Sequence, residues 1–494
     1  MNLPINMDGP SASLQTSSEE PGSDTEAPVF EYTAQATSPL VNGEVKLRIN
    51  KNGLMATTLF DVVEVPYAEV NALELADYNV IVRADSGTYV FSRMGSWCEP
   101  FYTALCDAYN SAVLRSLFIS GKPTITSKCD YRYTEGRFSG SGLAPVHVYG
   151  NNVTALPPDL GARRVPLCFV RAMDKGDYEL TLSLDTGETY SYARMGYDTA
   201  PVEAAIEKNI RALREKTLTA VKEIDLSLTT TQASQLAKLT PEGAAAPFGQ
   251  LAAIAPSFTK ALEKKIAATR AADSYKVFKE LCDPTQIWVG FRRIEAAKDG
   301  DGDADGTAGA LGGMLGGLAG GLAGGLGSGL AGAGGLIANL ANSLGGSLGG
   351  GGLGDGGLGG GGLGEGSSSD GAANNEEAPL PSDPFLLWMI APSPDGRLAV
   401  VEFAEANSAT FVYRTGGDFA AFARQLNKAL EAISFKREVI RLSYDELRKP
   451  ENAIYYMAAK RTVALQFVRA NFVGRIVHSS PETWKRNLVD HFQR

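Results

Sequence analysis

Arg93 and Arg194 stand in two nearly identical phrases, SRMG at 92–95 and ARMG at 193–196, each just ahead of a stretch with helical spacing. An arginine there has a definite chemistry. A helix N-terminus offers unpaired N–H groups and the positive end of its dipole, so a guanidinium beside it completes an anion site. The same phrase also serves a fold. The glycine permits a tight strand-to-helix turn, the methionine fills the mouth of a sheet, and the arginine pairs with a nearby carboxylate or carbonyl. Repetition in two places favours the structural use. A third version, TFVYRTG at 410–416, puts Arg414 one place earlier and has no methionine, while Lys436 and Arg437 open a basic C-terminal stretch. These five cations are the candidate anion or partner contacts.

Other chemistry is sparse. DGDGDADG at 299–306 has Asp301, Asp303, Asp305 and Gly306 in calcium-loop register, but Gly312 occupies the position that should supply a bidentate glutamate. An acidic solvated loop is the expectation. The three histidines, His147, His478 and His491, lie in three different contexts. The five cysteines form no CxxC pair, so neither a thiolate metal site nor a disulfide framework is indicated and a reducing cytoplasm fits. No phosphate-loop, zincin or nucleophile-elbow motif occurs in a usable context. The reading therefore assigns no catalytic residue, cofactor or metal.

Charge limits the partners. A net charge of -10 over 494 residues argues against a nucleic-acid binder. Residues 1–44 carry seven acidic and no basic side chains, whereas 434–494 carry twelve basic and six acidic ones, dispersed among apolar positions as on a solvated helical surface. The N-terminus has neither the basic start nor the apolar core of a secretory signal. The uncharged tract 307–354, rich in GGL, reads as a linker, since glycine penalises helix by about 1 kcal/mol per residue and no aromatic or basic anchors flank it.

The elements that must position these residues come from a duplication. A shift of one hundred pairs Val65, Pro66, Val70, Ala72, Asp77, Tyr78, Asp85 and Gly87 with the residues one hundred places on. One inserted residue then makes the shift 101, pairing Tyr89, Arg93, Met94, Gly95 and Pro100 with Tyr190, Arg194, Met195, Gly196 and Pro201. Within each copy apolar residues alternate in short runs split by Gly turns, predicting antiparallel strands. Each copy ends in an amphipathic helix, over 97–118 and 199–217, with Ser96 and Glu99 spaced as a capping box and Asp198 as a cap. Bent antiparallel strands closed by one helix describe a PH-like or GRAM-like barrel.

The expected fold class is α+β: tandem PH-like antiparallel β-barrels, each closed by a C-terminal helix, with a helical connector and a helical tail. The expected boundaries are a disordered acidic tail at 1–40, modules at 41–120 and 121–218, and a connector at 219–284. A third module follows at 285–434, interrupted by a disordered Gly-rich insert at 298–382, and then a basic helical region at 435–494. The SRMG phrases, the LEKKI block and the ending TVALQFVRANFVGRIVHSSPETWKRNLVD resemble a bacterial family of repeated PH-like modules. That resemblance implies the fold and brings no activity with it. The functional expectation is a non-enzymatic cytoplasmic binding or scaffold protein with a protein partner and no nucleic acid. Peripheral attachment to anionic lipid is the alternative, and an enzyme with carboxylates between modules ranks behind both. Oligomeric state is not readable from the sequence.

Overall fold

The computed structural model describes residues 31–293, 384–404 and 409–492. The fold is α+β with antiparallel sheets, and the chain divides into two compact units. Residues 1–30, the calcium-loop-like stretch and the Gly-rich tract lie outside the described residues.

Among the described residues, unit 1 comprises 31–116, 156–163 and 447–461. Its sheet contains β1 (Glu31–Thr37), β2 (Asn42–Ile49), β3 (Gly53–Thr57), β4 (Val62–Pro66), β5 (Val70–Ala76), β6 (Asn79–Ala84) and β7 (Gly87–Ser92), in the order β4-β3-β2-β1-β7-β6-β5. Strand β1 joins the two halves. It pairs with β2 along its whole length and with β7 through Gln35↔Ser92, Ala36↔Phe91 and Thr37↔Val90. Helix α1 (Cys98–Ser116) buries Phe101, Leu105, Tyr109 and Val113. The expectation of disorder to residue 40 is corrected here, because Glu31–Thr37 is β1. Its inward residues are only Ala34 and Ala36, too small to mark EYTAQAT as a core strand.

Unit 2 holds the remaining described residues. Its first sheet contains β8 (Ile125–Glu135), β9 (Phe138–Val148), β10 (Asn152–Ala155), β11 (Arg163–Pro166), β12 (Val170–Gly176), β13 (Glu179–Leu184) and β14 (Thr189–Ala193), in the order β11-β10-β9-β8-β14-β13-β12. Position for position this is the order of the first sheet, and α2 (Thr199–Ile224) follows it as α1 follows β7. Helices α3 (Thr230–Leu239), α4 (Phe248–Ile254), α5 (Pro256–Ala267) and α6 (Ala272–Leu281) come next, and α3 opens with a capping box between Thr229 and Gln232.

The last sheet runs β15 (Ala246–Pro247), β16 (Trp288–Arg293), β17 (Phe385–Pro392), β18 (Leu398–Phe403), β19 (Ala409–Arg414) and β20 (Phe472–Val477), each paired with the next. Helix α7 (Phe419–Ala432) follows β19, capped by Asp418, whose Oδ1 accepts from the Ala421 N–H at 2.8 Å. This order does not repeat that of the first two sheets. The neighbour of β19 is β20, from the region expected to be wholly helical, where β7 has β1. The connector also contributes β15. Residues 447–461, expected in the C-terminal region, belong to unit 1.

The strand-to-helix corners are the same in both copies. Arg93 and Arg194 each have φ +59°, Gly95 and Gly196 have φ +57° and +59°, and Met94 and Met195 between them are buried. The corner thus needs two left-handed residues, of which only one is glycine. Asp198 does not cap α2 and instead accepts from the Ser127 hydroxyl at 2.9 Å. A left-handed non-glycine residue costs about 1–2 kcal/mol. Arg93→Gly should therefore raise stability by about 0.5–1 kcal/mol in urea unfolding, while Gly95→Ala lowers it by about 1 kcal/mol. A loss of stability in Arg93→Gly would show that the side chain, not the corner, is what the fold uses.

Candidate functional site: a strand edge beside the closing helix

Strand β5 ends its sheet, so its outer N–H and C=O groups need partners. In unit 1 the looped segment Leu156–Arg163 meets part of this edge. The Leu73 N–H donates to the Pro158 carbonyl at 2.8 Å, and Ala72 and Asp159 form an antiparallel bridge. Pro157 and Pro158 have no N–H of their own, so the segment offers carbonyls to an edge that offers a donor. On the other side lies α1. The Tyr109 hydroxyl donates to the Asp159 carbonyl at 3.3 Å and accepts from Arg461 Nη2 at 2.5 Å, and the Tyr102 hydroxyl donates to the Leu73 carbonyl at 3.3 Å. Leu73 and Tyr109 are 2% and 0% exposed beneath this cover.

Two more groups of unit 1 hold the same side of the module. Lys460 donates to the Ala68 carbonyl at 3.3 Å and pairs with Asp85 at 3.1 Å, and the Tyr456 hydroxyl donates to Asp85 at 2.9 Å. Burial alone would push the Asp85 carboxyl up, but the bonds from Asn71, Lys460 and Tyr456 hold it below its ordinary value.

The counterpart in unit 2 is open. Strand β12 ends its sheet as β5 does, and among the described residues its only strand partner is β13. The repeat places Met173 at the position of Leu73 and Ile210 at that of Tyr109, and both are half-buried where the first copy's residues are covered. Lys175 on β12 pairs with Glu203 and, at 2.8 Å, with Glu207, so the strand and α2 are tied by a rim of exposed charges.

The five sequence-predicted cations do not converge on this edge. Arg93 is exposed in unit 1. Arg194, 82% exposed, pairs with Asp130 at 3.0 Å on the rim of a surface groove of about 820 Å³ that also includes Arg132, Asp177, Tyr178 and Glu179. Carboxylates therefore balance its arginines. The register that matches Asp130 to Ala193 matches Gln35 to Ser92, so the first copy lacks this carboxylate partner. Arg414 is exposed at the end of β19. Lys436 lies over the Phe118 ring at 5.3 Å and Arg437 over Phe403 at 4.4 Å.

Sequence reasoning missed the charges that are buried. Helix α7 spaces Phe422, Leu426 and Leu430 along an apolar face, yet Lys428 and Glu431 on the same helix are also buried. Lys428 Nζ meets Glu188 at 3.0 Å and Glu135 at 3.8 Å, with Glu135 accepting from the Tyr190 hydroxyl. Glu431 takes both ends of the Arg164 guanidinium, at 2.5 and 2.6 Å. Asn427 closes a third contact, accepting from the Ala245 N–H at 3.0 Å and donating to its carbonyl at 2.8 Å. Burial would push the Glu188 carboxyl up, but Lys428 and the Thr186 hydroxyl outweigh it and hold it below the ordinary value. Asp185, buried beside Glu188, is pushed up. The only sequence signal was Lys428 and Glu431 spaced three apart on a helix, which reads equally as a solvent face.

Among the described residues no three histidine, cysteine or acidic side chains are placed to hold a metal, and no helix is long and apolar enough to cross a membrane. No family model and no curated protein matches the chain. Solved structures that match include one described as the structure of the Spt16D Pob3N heterodimer. It is 13% identical, and the match spans 33% of this chain and 86% of that one with a TM-score of 0.15.

Removing one partner of a buried ion pair leaves an uncompensated charge and costs about 3–5 kcal/mol. Lys428→Met should lose about that much stability at pH 7. In the native chain the lowered Glu188 carboxyl contributes stability above its unfolded pKa, and this is lost as pH falls through its folded value. In the variant burial is opposed only by the Thr186 hydroxyl and a backbone bond, so the Glu188 carboxyl lies higher than in the native chain and the deficit against the native chain should shrink between pH 7 and about 4. Urea unfolding at both pH values measures it, and a deficit independent of pH would contradict the role given to Lys428.

Proposed function

We propose that this chain is a non-enzymatic binding protein built from tandem PH-like modules, which take protein partners by adding an extended segment to the strand edge beside the closing helix. Three features support this reading. Two sheets share the order 4-3-2-1-7-6-5, and a long helix follows each. One β5-type edge already holds a loop segment through the Leu73–Pro158 bond and the Ala72–Asp159 bridge, and this observation carries the proposal. The other such edge is unpaired among the described residues and lined by half-buried Met173 and Ile210. In strand addition the main-chain bonds give affinity and the alternating side chains give selectivity. The segment on β5 sets the type of partner: a short, locally braced loop that presents a main-chain carbonyl to the edge's outward N–H, so that little entropy is lost on docking.

Selection of a random-peptide library against the immobilised full chain tests the proposal. Extended peptides should be recovered. Met173→Pro removes the outward N–H at the position of Leu73, so it should weaken their binding at least about tenfold while circular dichroism shows the sheet intact. Failure to recover any peptide, or peptides that bind the Met173→Pro chain equally well, would contradict it.

A further inference from the structure

The segment that fills the β5 edge is not an arbitrary one. Leu156–Arg163 is the connection between β10 and β11. Because the two sheets share one order, its counterpart in the first copy is the connection between β3 and β4, residues 58–61. That tip has no such cover: Leu59 is 93% and Phe60 97% exposed. It is also preformed. The Thr58 N–H donates to the Asp61 carbonyl at 2.8 Å, the Thr58 hydroxyl accepts from the N–H groups of Phe60 and Asp61, and the Asp61 carboxylate accepts from the Val62 N–H. The turn is therefore closed on its own polar groups and presents two bare apolar side chains. Two adjacent apolar side chains left almost wholly in water at a rigid tip are an unmet half of a contact.

The other half is on the same chain. The β12 edge beside α2 presents half-buried Met173 and Ile210 where β5 and α1 present the covered Leu73 and Tyr109. Charges agree with the apolar match. Asp61 and Glu64 flank the tip, and Arg171, Arg211 and Arg214 are exposed on β12 and α2, where Lys175 already pairs with Glu203 and Glu207 and Asp174 is the remaining exposed acid of the strand. Resting on the strand-addition reading above, we propose that the partner of the β12 edge is a second copy of this chain, whose 58–61 tip docks between β12 and α2 as Leu156–Arg163 docks between β5 and α1. The contact is heterologous, since tip and groove are different surfaces. Each chain carries one of each, so association continues head to tail.

Sedimentation velocity of the full chain over a range of concentrations tests this. The native chain should show a mass that rises with concentration and does not stop at a dimer. Phe60→Glu, at a position with nothing packed on it, and Met173→Glu should each give a monomer. An equimolar mixture of the two variants should give a dimer and nothing larger, because one keeps its groove and the other its tip. That restored dimer also shows both variants to be folded. A native chain that stays monomeric at all concentrations, or a mixture that stays monomeric, overturns the inference. If a monomeric native chain instead binds anionic vesicles and Phe60→Glu does not, the tip belongs to a bilayer and the inference likewise fails. Library peptides that still bind the native chain and fail on Met173→Pro would leave strand addition standing with a different partner. Loss of both results would remove strand addition as well.

Discussion

A sheet that ends in an unpaired strand leaves a row of N–H and C=O groups unsatisfied and open to any extended chain. Unit 1 meets that constraint at β5 by drawing in Leu156–Arg163, with the Pro158 carbonyl set against the Leu73 N–H and Tyr109 bonded across to the Asp159 carbonyl. The rest of the module supports that side. Arg461, 1% exposed, bonds the Tyr109 hydroxyl and the Met457 carbonyl and lies over the Tyr109 ring, so among the described residues this buried guanidinium is held without a carboxylate. Lys460 and Tyr456 pin Asp85 at the β6–β7 turn nearby. The open edge at β12 is the same geometry without these supports.

Unit 2 spends its buried charge elsewhere. Lys428 and Glu431 are neighbours on one helix with opposite signs, and each finds its complement on the β8–β14 sheet: Glu135 and Glu188 for the lysine, Arg164 for the glutamate. Buried pairs of this kind add little net stability over an apolar contact of the same shape, yet breaking one is expensive. They fix register. Sliding α7 by one turn would put Lys428 against Arg164 or leave both carboxylates bare, and Asn427 pairing with both polar groups of Ala245 sets the same limit.

The sequence was legible where side chains are large and repeated. The period-two runs from Val62 to Ser92, their repeats at Glu179–Leu184 and Thr189–Ala193, the helices that follow and the Asp418 cap stand where alternation and capping put them, while the cap expected at Asp198 is absent. The missed strands share a physical cause. In β1 the inward residues are alanines, in β15 only Ala246 and Pro247 pair, and β20 has a glycine and an exposed arginine in place of a clean apolar alternation. The candidate site was legible only as a general edge. That one copy's loop fills it depends on a contact between residues 85 positions apart, Leu73 and Pro158, and no local pattern encodes such a pairing. Both arginines of the RMG phrase take the left-handed backbone of the strand-to-helix corner.

The equivalence of a filled edge at β5 and an open one at β12 is the claim on which the binding function rests. Amide hydrogen exchange of the dilute chain compares them directly, through peptides covering 70–76 and 170–176. If the Leu73 N–H is bonded to Pro158 and the Met173 N–H faces water, the first should be protected and the second should exchange orders of magnitude faster. Equal protection at the two positions would mean that the edges do not differ.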